Sequence, residues 1–171
     1  MGRTTFSGPI RSMRGFITAG PDAVIDITAD ITLTFAAHAG RLMTTNDADG
    51  VITLPTILFG SKAAAAGDDD PNVASHLGAV YRFIVMTTAT DLDINTDGTD
   101  KYFGSVTIGI TDSTMKIFVP ASSNDSMNLD GTTDGGIVGS YLEFTAFAEA
   151  KYLVQGELIG SGSIATPFAD S

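Results

Sequence analysis

The chain has 171 residues, no cysteine and a formal net charge of −11, from nine basic and twenty acidic residues. This length is typical of one domain with a sizeable core, and the lack of cysteine excludes disulfide scaffolds, thiolate zinc sites and cysteine nucleophiles. The acidic balance argues against direct binding of nucleic acid, which favours the opposite charge.

The composition favours strands over helices. Nineteen glycines accompany many Thr, Ala and Asp residues, a mixture rich in turn formers and β-branched side chains. No window approaches the ~18 apolar residues of a membrane helix, and the N-terminal stretch lacks the apolar core of a signal peptide. We therefore expect an all-β protein without a membrane partner that is not secreted by that route.

The first twenty residues differ from the remainder in charge. They contain three arginines, and the first acidic residue is Asp22. Two interpretations are open: a solvated terminus, or an extended arm that becomes ordered when it meets an acidic or carbonyl-rich partner. The sequence thus divides into an arm, residues 1–20, and a single β domain, residues 21–171. The candidate contact residues of the arm are Arg3, Phe6, Arg11, Arg14 and Phe16.

The next stretches predict strands, and the two apolar runs within 38–55 together with 78–86 are expected to form the middle of the β core. Residues 23–35 read AVIDITADITLTF and alternate in their second half, which indicates a half-buried strand. Residues 38–55 read HAGRLMTTNDADGVITLP and predict a hairpin, because Asn, Asp and Gly at 46–50 favour a turn between two apolar runs. Residues 78–86 read GAVYRFIVM, apolar on both faces, and predict an inner strand.

The C-terminal half predicts further short strands separated by polar turns. Strands are expected at 91–94, 102–110, 114–119, 137–148 and 151–159, with long loops at 60–78 and 122–136. A spacing near 8 to 12 residues is typical of a β-sandwich or a jelly-roll-like barrel. We see no repeat of fixed period, which argues against a propeller or solenoid.

One segment resembles half of a calcium loop. Asp93, Asn95 and Asp97 place oxygen atoms at every second residue before Gly98, but Gly104 stands where a closing glutamate is required. A plain turn is the preferred interpretation, because turns use the same residue types. Whether this turn binds calcium stays open, and we predict no cofactor.

Catalysis is not supported by any motif. His38 and His76 are the only histidines, and no serine lies in a Gly-x-Ser-x-Gly turn. The glycine-rich stretch 156–162 lacks a phosphate-binding lysine. We expect a protein that is not an enzyme.

Several stretches together resemble small virion proteins of tailed bacteriophages, most closely head decoration (capsid cement) proteins. They are RTTFSGPIRSMRGF, HAGRLMTTNDADGVITLP with GAVYRFIV, TDGTDKYFGSV, and YLEFTAFAEAKYLVQGELIGSGSIATPF. The resemblance covers most of the chain but fails in the loops at 61–77 and 121–136.

The resemblance implies a β-rich, non-enzymatic protein that trimerises and sits on the outer capsid surface where shell subunits meet. The implied partners are the major capsid protein and further copies of the chain, in the virion and, during assembly, in the host cytoplasm. The arm residues would then contact the shell. A tail-fibre or receptor-binding module is the alternative, since it shares β content and trimerisation.

Overall fold

A computed structural model describes residues 20, 23–58, 76–110 and 114–171, and the regular secondary structure of these residues is almost entirely β. One short helix, α1, covers Phe35–His38. The strands are β1 Val24–Ile27, β2 Ile31–Thr32, β3 Leu42–Thr45, β4 Val51–Thr53, β5 Val80–Val85, β6 Leu92–Asn95, β7 Lys101–Gly109, β8 Met115–Phe118, β9 Ser126–Leu129, β10 Tyr141–Ala148, β11 Lys151–Ile159 and β12 Phe168–Ala169.

The strands form two sheets that enclose one core. The larger sheet has the order β1-β3-β5-β10-β11-β7-β8, and the smaller has the order β12-β9-β6-β4-β2. Buried apolar side chains of both sheets belong to the same cluster, which includes Phe83, Phe144, Ile94 and Met127. The predicted all-β fold is confirmed, with a sandwich-like arrangement.

The first six strands alternate between the two sheets. β1, β3 and β5 lie parallel in the larger sheet, while β2, β4 and β6 lie parallel in the smaller one. The chain therefore winds three times around the core before β7. These parallel pairs distinguish the fold from a jelly roll, in which the strands form antiparallel Greek keys.

The inner strand predicted at 78–86 is confirmed. β5 lies between β3 and β10, and its side chains alternate between half-buried and buried. Tyr81, Phe83 and Val85 point into the core, whereas Arg82 and Ile84 lie on the outer face. The period of two directs one set of side chains into the core and the other to the outer face of the sheet.

The hairpin predicted at 38–55 is wrong. β3 pairs with β1 and β5 in one sheet, and β4 pairs with β2 and β6 in the other, so the turn at 46–50 carries the chain across the core. Turn residues permit a change of direction but do not select the strand that accepts the next run. Here the parallel neighbours supply those partners.

The strand predicted through Phe35 ends earlier, at Thr32. The Thr34 hydroxyl accepts a hydrogen bond from the Ala37 amide at 3.3 Å and caps α1, so the alternating pattern gives way to a helical turn. In the described ranges no helix has the length and hydrophobicity needed to cross a membrane.

Two short strands were missed in regions predicted to be loop or tail. β9 lies within the polar stretch 122–136 and pairs with β6, while β12, near the C-terminus, pairs with β9. Their sequences carry weak strand signals because β9 is short and β12 has only two residues. Pairing with partners distant in sequence decides their conformation.

Candidate interaction surface

The outer face of the larger sheet carries a polar groove of about 510 Å³. We call it the carboxylate groove because two glutamates line it on neighbouring strands. Cross-strand register brings its side chains together, since Glu143 on β10 lies opposite Arg82 on β5 and Gln155 on β11. Its principal side chains are Ser105, Thr107, Tyr141, Glu143, Gln155 and Glu157.

Glu143 is the centre of a hydrogen-bond network in this groove. Its Oε2 accepts hydrogen bonds from Arg82 Nε at 2.8 Å and Tyr141 Oη at 3.2 Å, while Oε1 accepts one from Gln155 at 3.3 Å. Burial favours a higher pKa, but the hydrogen bonds from Arg82 and Tyr141 outweigh it and lower the pKa of Glu143. A carboxylate held ionised in this way is suited to fixing strand register rather than to donating protons near neutral pH.

Glu157 stands apart from this network. Its side chain is exposed at the other end of the carboxylate groove, and among the described residues it has no ion-pair or hydrogen-bond partner. The groove thus combines one neutralised carboxylate with one free carboxylate. The free carboxylate of Glu157 is the position in this groove at which a cationic group could bind.

An apolar row borders the same face along β8. Met115, Ile117 and Val119 are 73%, 68% and 69% exposed, and we call them the edge row. A second groove, of about 400 Å³, runs beside Met115 toward Gly109 and Ile159. Together the three side chains form an exposed apolar patch on β8 and the residue that follows it, a feature that is common at interaction surfaces.

A third feature of this face is an aromatic patch formed by Phe103, Phe147 and Lys151. The rings of Phe103 and Phe147 lie edge to face at 5.9 Å between centroids, and Lys151 Nζ lies 5.1 Å from the Phe103 centroid. Both phenylalanines are at least 36% exposed. The sequence does not indicate the pairing of Phe103 with Phe147, because 44 positions separate them along the chain.

The smaller sheet carries the predicted half calcium loop. Asp97 caps the turn, since its Oδ1 accepts hydrogen bonds from the Thr99 amide at 2.9 Å and the Asp100 amide at 3.0 Å. Asn95 Oδ1 is bonded to the Ser126 hydroxyl at 2.6 Å. The described residues contain no group of three or more His, Cys, Asp or Glu side chains placed to hold a metal ion. The geometry is that of a hydrogen-bonded turn.

Asp93 in β6 carries a buried carboxylate oxygen, Oδ1, that lacks a hydrogen-bond partner among the described residues. Burial first, and then the charge of Asp91, raises the pKa of Asp93. Asp93 remains partly exposed, so a single unpaired carboxylate does not make a binding site here.

The two histidines occupy structural positions. His38 is buried in the last turn of α1, where Nδ1 accepts a hydrogen bond from the Thr34 amide at 2.9 Å. His76 stacks on Phe35 with ring centroids 4.5 Å apart, and its Nδ1 lies 3.3 Å from the Thr56 carbonyl. Among the described residues, no nucleophilic serine is bonded to either ring.

The predicted capsid-contact residues Arg3, Phe6, Arg11, Arg14 and Phe16 lie outside the described residues, so their role stays a prediction. No family model, curated protein or solved structure matches the chain.

Proposed function

We propose that this protein is a non-enzymatic structural protein of a bacteriophage virion, which binds the outer capsid surface at subunit junctions and stabilises the shell. The observation that carries the proposal is the outer face of the larger sheet, where the edge row leaves three large apolar side chains uncovered. The resemblance of the sequence to capsid decoration proteins supplies the kind of assembly. Its partners would be the major capsid protein and further copies of itself.

The distribution of charge supports the same role. Three of the nine basic residues lie in the arm, whereas all twenty acids lie from Asp22 onward. An acidic domain remains soluble at the high copy number of a shell protein, and a basic arm with Phe6 and Phe16 supplies a separate patch for capsid carboxylates and apolar pockets. Nucleic acid is not a direct partner in this scheme.

The proposed action is mechanical. Each copy adds a modest contact area across a junction between shell subunits, and the contacts of many copies add up. Because the protein binds the assembled shell and not the separated subunits, binding raises the free energy needed to open a junction. In this proposal the protein lies on the outer capsid surface and, before assembly, in the host cytoplasm.

A receptor-binding or tail-fibre module is the second candidate, and the aromatic patch favours it. Phe103 and Phe147 are exposed next to Lys151, and aromatic side chains provide platforms for sugars. Such a module is present in a few copies per particle, whereas a decoration protein approaches the number of shell subunits. Copy number therefore separates the two functions.

The test is the ratio of this chain to the major shell protein in purified particles, measured by quantitative mass spectrometry. One copy per one to a few shell subunits supports decoration. A handful of copies per particle supports the fibre or receptor-binding alternative, and absence from particles overturns both virion functions.

The role of the arm is tested by occupancy on shells that lack the protein. A variant without residues 1–16 should bind far less than the full chain. The triple variant Arg3→Gln, Arg11→Gln, Arg14→Gln keeps the length and the phenylalanines of the arm. It should show reduced occupancy, and its occupancy should decrease less steeply with rising salt concentration than that of the full chain. Unchanged occupancy after deletion would refute the assignment of Arg3, Phe6, Arg11, Arg14 and Phe16.

A further inference from the structure

The carboxylate groove is joined to the start of β1 by two rows of side chains that cross the outer face of the larger sheet. Strand register places each member of a row opposite the next member on the neighbouring strand. The first row consists of Val24, Leu42, Arg82, Glu143, Gln155 and Ser105. The second row consists of Asp26, Thr44, Ile84, Tyr141, Glu157 and Thr107. The groove lies where both rows cross β10, β11 and β7.

The arm is long enough to follow these rows into the groove. Neighbouring strands lie ~4.8 Å apart, so the path from Val24 on β1 to Glu157 on β11, four strands away, is ~19 Å. Arg14 precedes Val24 by ten positions, and an extended chain of that length spans up to ~35 Å. The Ala23 amide donates a hydrogen bond to the Gly20 carbonyl at 3.0 Å, which closes a turn directly before β1. The chain thus changes direction at the end of the row that leads to the groove.

The charges of the arm and of the two rows are complementary. The arm contains three arginines and no acidic residue. The rows carry the carboxylates of Asp26, Glu143 and Glu157 against one guanidinium, that of Arg82. Arg82 Nε already lies 2.8 Å from Glu143 Oε2, whereas Glu157 is exposed and has no ion-pair partner among the described residues. This face therefore binds one guanidinium in its own strands and has a carboxylate free for another.

We propose that the arm folds back across the outer face of the larger sheet of its own chain and places the guanidinium groups of Arg11 and Arg14 at Glu157 in the carboxylate groove. Thr107 of the second row pairs with Ile117 on β8, so the same path leads on to the edge row. The part of the arm before Arg11 then covers those exposed apolar side chains with its own, including Phe6.

Two physical reasons make the chain's own arm the occupant. A segment tethered to the same domain has an effective concentration near the groove in the millimolar range, so a weak ion pair suffices to hold it there. A second copy would bring a further net charge of −11 to an acidic face. The docked arm is a property of the isolated chain and does not rest on binding to a capsid. If the arm also binds a shell as proposed above, the two contacts exclude one another.

The test is nuclear magnetic resonance of the full chain with a nitroxide attached in the arm. The sequence contains no cysteine, so Ser12→Cys supplies a single attachment point between the two arginines and leaves the β domain unaltered. At low salt the amide signals of Gln155 and Glu157 should be broadened most, and those of Asp93 and Asn128 on the smaller sheet least. Added salt should reduce the broadening in the groove, because it screens the contact between opposite charges.

A matched pair of variants locates the contact. Glu157→Gln should reduce the paramagnetic broadening at Gln155 about twofold or more, which is the change in equilibrium constant expected for an exposed ion pair. Glu149→Gln removes the same charge from the exposed turn between β10 and β11, and should leave the broadening unchanged. Equal effects of the two variants, or equal broadening on both sheets, would overturn the proposal.

An equal mixture distinguishes contact within a chain from contact between chains. Chains that carry the nitroxide but no isotope are mixed with isotope-labelled chains that have no cysteine, and the labelled chains should show no broadening. Broadening in this mixture would overturn docking within one chain. Because the measurement contains no capsid, a negative result refutes the docked arm alone, whereas the occupancy of shells tests the proposed function separately.

Discussion

At the scale of single residues, the turn after β6 shows how hydrogen bonds and burial compete over one carboxylate. Burial tends to raise the pKa of Asp97, but hydrogen bonds from the Asp100 amide, the Thr56 hydroxyl and Thr99 reverse this and lower the pKa to about 2. Four residues earlier, Asp93 has no such donors at Oδ1, and its pKa is raised. The same side chain stabilises the folded protein in one position and costs free energy in the other.

We predict that Asp97→Ala lowers the free energy of unfolding by about 1 kcal/mol at pH 7, since the exposed site is partly screened by solvent. A folded-state pKa below the ordinary value of 3.8 means that the stabilisation is complete above about pH 5 and is lost progressively as the pH falls toward about 2. Urea unfolding from pH 7 to pH 2.5 should therefore show the gap between Asp97→Ala and the unmodified chain closing. Asp97→Asn, which retains one acceptor, should lie between them, and a gap independent of pH would contradict this account.

At the scale of elements, the long strands β10, β11 and β7 approach so closely that glycine is required at defined points. Gly104 in β7 has a φ of +106°, and a Cβ there would lie 2.2 Å from the Val154 carbonyl oxygen of β11. Gly109, at the other end of β7, has open space around it. Gly104 and Gly109 both belong to β7, and the sequence does not distinguish them. Only the close approach of β11 makes glycine necessary at position 104.

We predict that Gly104→Ala destabilises the protein by about 2 kcal/mol or more, because the alanine is strained at positive φ and collides with backbone. Gly109→Ala is the matched control and should change stability by less than about 0.5 kcal/mol. Thermal or urea unfolding of the two variants measures the difference. Equal effects at both positions would show that the close approach of β7 to β11 is not as described.

At the scale of the whole molecule, hydrogen bonds through the core join the two sheets. Tyr102 on β7 is fully buried, and its hydroxyl donates to the Ile94 carbonyl of β6 at 2.8 Å. Tyr152 on β11 donates to the Pro55 carbonyl, just beyond β4, at 2.5 Å. The Tyr81 hydroxyl lies in the same core without a hydrogen-bond partner among the described residues.

We predict opposite results for the same substitution in this core. Tyr102→Phe should lower the free energy of unfolding by about 1 kcal/mol, because it removes a satisfied bond between the sheets. Tyr81→Phe should leave stability unchanged or raise it, because it removes a buried hydroxyl that has no partner. Denaturant unfolding of both variants at pH 7 decides the matter, and a larger loss for Tyr81→Phe would indicate a partner for that hydroxyl.

The positions of several strands, and the faces that their side chains occupy, can be predicted from the local alternation of apolar and polar residues. The inner position of β5 and the two faces of β10 follow from alternation, because a period of two assigns side chains to faces wherever the strand runs. Local alternation does not predict that β3 pairs with β1 and β5 and not with β4. Turn residues at 46–50 are compatible with a hairpin and with a crossing between sheets, and parallel pairing depends on segments far apart in sequence.

The winding of the first six strands explains why no repeat was visible. β1 and β3 begin 18 residues apart, whereas β3 and β5 begin 38 residues apart, because residues 54–79 lie between β4 and β5. A geometric repeat with unequal spacing has no fixed period in the sequence. The exposure of the edge row could not be predicted for a related reason. Alternation indicates that Met115 and Ile117 lie on the same face of the strand, but it does not indicate whether that face is covered by other parts of the chain.

The sequence by itself determined the class of fold, the longer strands, the acidic charge and the excess of basic residues in the first twenty positions, because composition and alternation act within a few neighbouring residues. Tertiary structure alone decided which sheet each strand joins, which glycines are indispensable, and which apolar side chains remain exposed. Those outcomes depend on contacts between segments distant along the chain. For the edge row the deciding fact is the place of β8 at the end of its sheet, where no further strand of the described chain covers it.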